Sequence, residues 1–121
     1  MARKKHVLLV DDDVTVRQSL HQALMLENFN VRQAANGQEA LREFHEHRID
    51  VVLLDINLGE ESGWETFHQL RQIQPHLPVI MMTGNPAHAV PPPRHTVEAL
   101  MEKPLDLIIL FKRLNELVSV E

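Results

Sequence analysis

His6-Val7-Leu8-Leu9-Val10-Asp11-Asp12-Asp13 decides the fold: a short apolar run that stops abruptly at three carboxylates. The pattern recurs at Val51 to Leu54 before Asp55, at Val79 to Met82 before Thr83, and at Val97 to Met101 just before Lys103. Continuous apolar runs of this length, separated by helix-length segments, read as parallel strands buried on both faces. Right-handed crossovers put the carboxyl ends of such strands on one edge of the sheet. The sequence therefore predicts that three carboxylates, a hydroxyl and an ammonium meet at that edge, where open α/β sheets bind their ligands.

The segments between the runs support this reading. Val16, Leu20, Ala23, Leu24 and Leu26 have helical spacing and predict a first helix over 14–27, with Asp13 as its cap rather than a metal ligand. A weaker strand near Asn30 to Ala34 belongs at a sheet edge. Asn36 and Glu39 form a capping-box-like start to a second helix that runs to about His47 and buries Ala40, Leu41 and Phe44. Trp64, Phe67, Leu70 and Ile73 mark a helix after Gly63, with Trp64 a packing residue, and Leu107, Leu110, Phe111, Leu114, Leu117 and Val118 mark the last one. Pro91, Pro92 and Pro93 fall where a fourth helix belongs, and three successive prolines supply no N–H donors. The expected architecture is a flavodoxin-like (βα)5 doubly wound parallel sheet, strand order 2-1-3-4-5, with the fourth helix shortened or disrupted.

Composition narrows the function. The chain has 121 residues, 44% hydrophobic and 24% charged, which suits one domain over 1–121 with one sheet and its covering helices. Its net charge of −5 and the confinement of its basic cluster to Arg3, Lys4 and Lys5 argue against direct nucleic-acid binding. There is no cysteine, no apolar run of membrane-spanning length and no signal-peptide core, so a cytoplasmic protein without membrane contact is expected. The chain holds eight histidines, and the pair His45 and His47 tempts a metal reading, but residues two apart on a helix do not face one another.

Two unit charges at about 4 Å repel by roughly 4 kcal/mol at an effective dielectric near 20, so Asp11, Asp12 and Asp55 in one crevice need more than Lys103 to stay ionised. A hard divalent cation answers this. All-oxygen donors suit Mg²⁺, which takes one or two carboxylates and keeps its other positions for water or phosphate oxygens. A phosphate-containing ligand follows, and a carboxylate can itself accept a phosphoryl group. Thr83 and Lys103 are placed to address the phosphoryl oxygens.

With these residues in view, the chain resembles the receiver domain of two-component response regulators. The likeness rests on Leu8-Leu9-Val10-Asp11-Asp12-Asp13, Val51-Val52-Leu53-Leu54-Asp55-Ile56, Gly63, Met81-Met82-Thr83-Gly84 and Glu102-Lys103-Pro104, and covers nearly the whole chain. It implies that Asp55 is the phosphoacceptor, that Asp12 binds Mg²⁺ directly and Asp11 mainly through water, and that Asn57 lends its backbone carbonyl to the metal. It implies further that Thr83 moves toward the phosphoryl group, that Lys103 pairs with it, and that Lys103–Pro104 is cis. The donor would be a sensor histidine kinase or phosphotransfer protein, and the domain would assist its own modification without being a multiple-turnover enzyme.

Three departures bear on output. Gly59 replaces the usual proline and predicts a looser loop after the third strand, Leu100 replaces the usual aromatic switch residue, and the triple proline alters the fourth helix. Output is therefore expected through reordering of the Thr83 to Thr96 segment. Ile108 and Ile109 widen the apolar surface of the last helix, which fits either a homodimer or output-domain contact or a deeper groove in the core. Two rival readings remain: a receiver-like interaction module that has lost regulated phosphorylation, and a haloacid-dehalogenase-like phosphatase using Asp11 within Asp11-Asp12-Asp13-Val14-Thr15. The phosphatase lacks a second acidic pair downstream of Lys103.

Overall fold

The structure is a computed structural model that describes residues 4–85 and 99–118. In chain order the elements are β1 (His6–Val10), α1 (Val14–Leu26), β2 (Asn30–Ala34), α2 (Gly37–Glu46), β3 (Val51–Asp55), β4 (Asn57–Leu58), β5 (Glu61–Ser62), α3 (Gly63–Ile73), β6 (Val79–Thr83), β7 (Ala99–Glu102) and α4 (Leu107–Val118). Five strands make one sheet in the order β2-β1-β3-β6-β7, with every pair parallel. Numbered among themselves, these five give the expected order 2-1-3-4-5, and the weak strand β2 does lie at an edge.

Strand alternation distributes the core. Leu8, Val10, Val52, Leu54, Val79 and Met81 pack on one face with Ala40 of α2 and Phe67 and Leu70 of α3. Val7, Leu9, Val51, Leu53, Ile80 and Met82 pack on the other with Leu20 and Leu24 of α1 and Leu110, Leu114 and Val118 of α4. With both faces covered, successive strand residues are all apolar, which is why these strands read as continuous runs. Trp64 packs edge-on against Phe67 with ring centroids 5.6 Å apart, the packing role expected of it.

The helix starts follow their capping residues. Asp13 Oδ1 accepts from the Thr15 and Val16 amides, and Asn36 Oδ1 accepts from the Glu39 amide. Glu39 reaches back to the Ala35 amide, one residue before the position a capping box would use. Three of the apolar residues whose spacing marks the helices are exposed: Leu26 (87% exposed), Ile73 and Leu107. Periodicity identifies an apolar position, but each of these lies at a helix end with too little structure beside it to cover it. Ile108 (82% exposed) and Ile109 are also open, so the deeper-groove reading of α4 fails.

Gly59 lies at the turn of a short hairpin that the sequence did not show. Its φ of +65° turns a small antiparallel hairpin in which Asn57 pairs with Ser62 and Leu58 with Glu61. The last sheet strand includes Glu102, while residues 97 and 98 of the expected run lie outside the described residues, as do the triple proline, the expected fate of the fourth helix and most of the Thr83 to Thr96 segment. Among the described residues no helix is long and apolar enough to cross a membrane.

Candidate functional site

The ends of β1, β3 and β6 carry their chemistry to one edge of the sheet. Val10 pairs with Leu54 and Asp55 with Met82, so Asp11, Asp55 and Thr83 leave adjacent strands side by side. Ligand oxygens of Asp11, Asp12 and Asp55 all lie within 4.8 Å of one another, the one group of three such ligand residues among the described residues. Asp11 and Asp55 are buried, and Asp12 faces solvent. The three carboxylates converge as the sequence predicts.

Lys103 bridges the two buried acids. Its Nζ donates to Asp11 Oδ2 at 2.6 Å and to Asp55 Oδ2 at 2.7 Å. The other oxygens are held by backbone: Asp13 N–H donates to Asp11 Oδ1 at 2.9 Å, and Asn57 N–H to Asp55 Oδ1 at 3.0 Å. Burial pushes the Asp55 carboxyl above the usual carboxylate range, with the Asp11 charge adding to it, and the bonds from Lys103 and Asn57 offset this only in part. For Lys103 burial acts downward, but its hydrogen bonds to Asp11 and Asp55 and their two charges outweigh it and hold the ammonium above its ordinary range. Two buried carboxylates thus share one cation, which leaves the crevice short of positive charge.

Thr83 is buried, and its Oγ1 accepts from the Asn85 amide at 3.0 Å. Its own O–H remains available as a donor. The backbone places Lys103 by pairing: Thr83 aligns with Glu102, and the Lys103 amide donates to the Thr83 carbonyl at 2.8 Å. The Lys103–Pro104 peptide is cis, as the resemblance implied. Leu100, where the aromatic is missing, is exposed on β7.

Several contributors to the site were not read from the sequence. A Cβ on Gly63 would meet the Asp55 carbonyl oxygen at 2.0 Å, so only glycine lets α3 begin hard against the end of β3, where the Gly63 amide donates to the Ile56 carbonyl at 2.6 Å. Gly63 belongs to a motif in the sequence, but its reason is visible only in the packing. Arg17 gives an Nη1 hydrogen bond of 2.7 Å to the Asp11 carbonyl while its Nε donates to Gln33, tying β1's end to β2. Its one signal in the sequence is a position one turn into the helix that follows Asp13. The β4–β5 hairpin brings Gly59 close to Asp12, whose Oδ2 would lie 3.6 Å from a Cβ there.

Comparison with known proteins agrees with this geometry. The family model "Response regulator receiver domain" matches residues 7–115. The transcriptional regulatory protein GlrR of Escherichia coli is 32% identical over 113 residues, 92% of this chain but 26% of GlrR. A CheY-like receiver domain protein from Methanospirillum hungatei superposes with a TM-score of 0.85 at 28% identity, covering 94% of this chain and 93% of that one. The response regulator TrrA of Thermotoga maritima, solved in complex with Mg²⁺-BeF, gives a TM-score of 0.86 at 26% identity and covers 94% and 99% of the two chains. This chain belongs to the response regulator receiver domain family. It spans 18–35% of the length of the curated relatives it matches, several of which are named as transcriptional regulators.

Proposed function

We propose that the domain receives a phosphoryl group on Asp55 from a phosphohistidine of a sensor kinase or phosphotransfer protein. A carboxylate oxygen of Asp55 attacks phosphorus, the phosphorus–nitrogen bond breaks, and the imidazole leaves. The observation that carries this reading is the approach of the Asp11, Asp12 and Asp55 oxygens to within 4.8 Å, with Lys103 between the two buried ones. Their all-oxygen donor set fits Mg²⁺, which Asp12, Asp55 and the Asn57 carbonyl would hold, with Asp11 acting through water. When bound, the ion supplies the positive charge that Lys103 alone cannot and polarises the phosphoryl group. Lys103 exchanges its bond to Asp55 for one to a phosphoryl oxygen, and the Thr83 hydroxyl donates to another.

On this reading the domain takes up one phosphoryl group at a time and is not a multiple-turnover enzyme; family membership supports it over the phosphatase reading through Asp11. We place it in the cytoplasm, and the open face of α4 at Leu107, Ile108 and Ile109 supports contact with an output domain or a second copy of the chain. Incubation with radiolabelled acetyl phosphate, with and without Mg²⁺, tests the assignment. Label that requires Mg²⁺ and is absent from Asp55→Asn is expected; label retained by that variant, or never acquired by the wild-type chain, overturns it. A wild-type chain that stays unlabelled would instead favour the interaction module, a reading kept alive by Leu100.

A further inference from the structure

The other end of the sheet gathers basic side chains, among them two arginines that are each paired with a carboxylate. His6 begins β1, and Asp11 follows its end roughly 16 Å away by strand rise. At the His6 end a cavity of about 370 Å³ is lined by His6, His21, Arg32, His47 and Arg48, which come from β1, α1, β2 and the connection from α2 to β3. No carboxylate is among its described lining residues, in a chain whose net charge is −5. The volume falls in the lower part of the range of small-molecule pockets, roughly 300–1,000 Å³.

Two features show donors held ready. Arg32 Nε donates to Glu43 Oε1 at 2.6 Å and Arg48 Nε to Asp50 Oδ1 at 3.2 Å, which fixes each stem. Both bonds use Nε, the nitrogen nearest the stem, and the two terminal nitrogens of each group carry its other four N–H donors. His21 supplies the second feature: its Nδ1 is the one buried side-chain nitrogen or oxygen among the described residues without a partner. Buried polar atoms are seldom left so, and His21 is one of the residues that line the cavity.

The imidazoles do not make a metal centre, because among the described residues only the Asp11, Asp12 and Asp55 group brings three ligand atoms within reach of one ion. The donor set suits an anion. Guanidinium groups match tetrahedral phosphate through paired N–H bonds, and imidazole adds a single donor. We propose that this cavity binds a phosphate-bearing small molecule, its phosphate taken by the terminal nitrogens of Arg32 and Arg48 and by His21, with His6 and His47 at the margins. The proposal shares no residue with the Asp55 site, so either can fail without the other.

The test is a titration of the ¹⁵N-labelled chain, freed of divalent metal on a chelating resin, with sodium pyrophosphate at constant ionic strength, followed by heteronuclear NMR. Saturable shifts at the amides of residues 6, 21, 32, 47 and 48 and in the His21 ring are expected, with the Asp11 and Asp55 amides unmoved. Arg48→Gln and His21→Gln, each first shown to keep the wild-type melting curve, should weaken binding by about tenfold and a few-fold, as loss of a charged and a neutral hydrogen bond implies. Shifts that do not saturate, that centre on Lys103, or that are matched by equal chloride overturn the proposal, as does unchanged affinity in both variants. Should either variant misfold, the wild-type shift map alone decides.

Discussion

At the carboxyl end of the sheet Asp11 and Asp55 are buried and share a single ammonium, whereas at the amino end Arg32 and Arg48 lie partly in solvent, each with its own carboxylate. The strands between are the same, so the contrast shows how one scaffold holds charge in two regimes. Buried charge at the site is strongly interdependent and under-compensated. Solvated charge at the other end is locally paired and easily altered.

Removing the shared cation should break the contrast most severely. Lys103→Met leaves two buried carboxylates without their partner, and a loss of about 3 kcal/mol or more is expected, read as a lowered urea midpoint at unchanged slope. A loss below about 1 kcal/mol would mean that the acidic end is as well solvated as the basic one.

Asp12→Asn acts on the same crowding from its exposed side. Without divalent ions it should raise stability by about 0.5–1 kcal/mol, since it removes repulsion from Asp11 and Asp55 across an outer, screened position. The added stability that Mg²⁺ gives the wild-type chain should shrink in the variant, because ligand binding to the folded state stabilises by mass action. Thermal melts over a Mg²⁺ series measure both effects.

The smallest effect belongs to the amino end. The hydrogen bond from Arg32 holds the Glu43 carboxyl below its usual range, against the opposing effect of burial, with smaller help from the charges of Arg32, His47 and Arg42. A carboxyl lowered in the folded state contributes stability above its unfolded pKa and loses it as pH falls through the folded value. Because Arg32 is 45% exposed, screening keeps the contribution small. Glu43→Gln should cost less than about 1 kcal/mol at neutral pH, and the two chains should converge in urea stability once pH drops below that lowered value. A difference that persists in acid would assign the cost to packing.

The two ends also differed in legibility. The acidic site was readable because each of its residues ends or follows a sheet strand, and in parallel βα units that position alone fixes where a side chain emerges. Asp55 and Lys103, far apart in sequence, could thus be placed together. The basic cavity was not readable: its residues are scattered over β1, α1, β2 and a connection, and no periodicity links them. The β4–β5 hairpin was missed for another reason, since two-residue strands are too short for a pattern. Gly59 reads in the sequence only as added freedom, and the positive φ it takes at the hairpin turn is visible only in the structure. Leu26, Ile73 and Leu107 show that spacing finds an apolar stripe without telling how far its cover extends.

The hairpin has one more consequence, through Glu61, whose Oε1 accepts from the Gly37 amide at the start of α2 at 3.2 Å. The rim of the crevice beside Asp12 is therefore tethered to a helix that contributes nothing to the floor. The Ser62 end of the hairpin runs directly into α3, anchored where Gly63 meets β3. The crevice has a fixed floor of strand ends and a rim fastened at two points, so anything that lifts the rim to admit a bulky donor must draw on α2 as well.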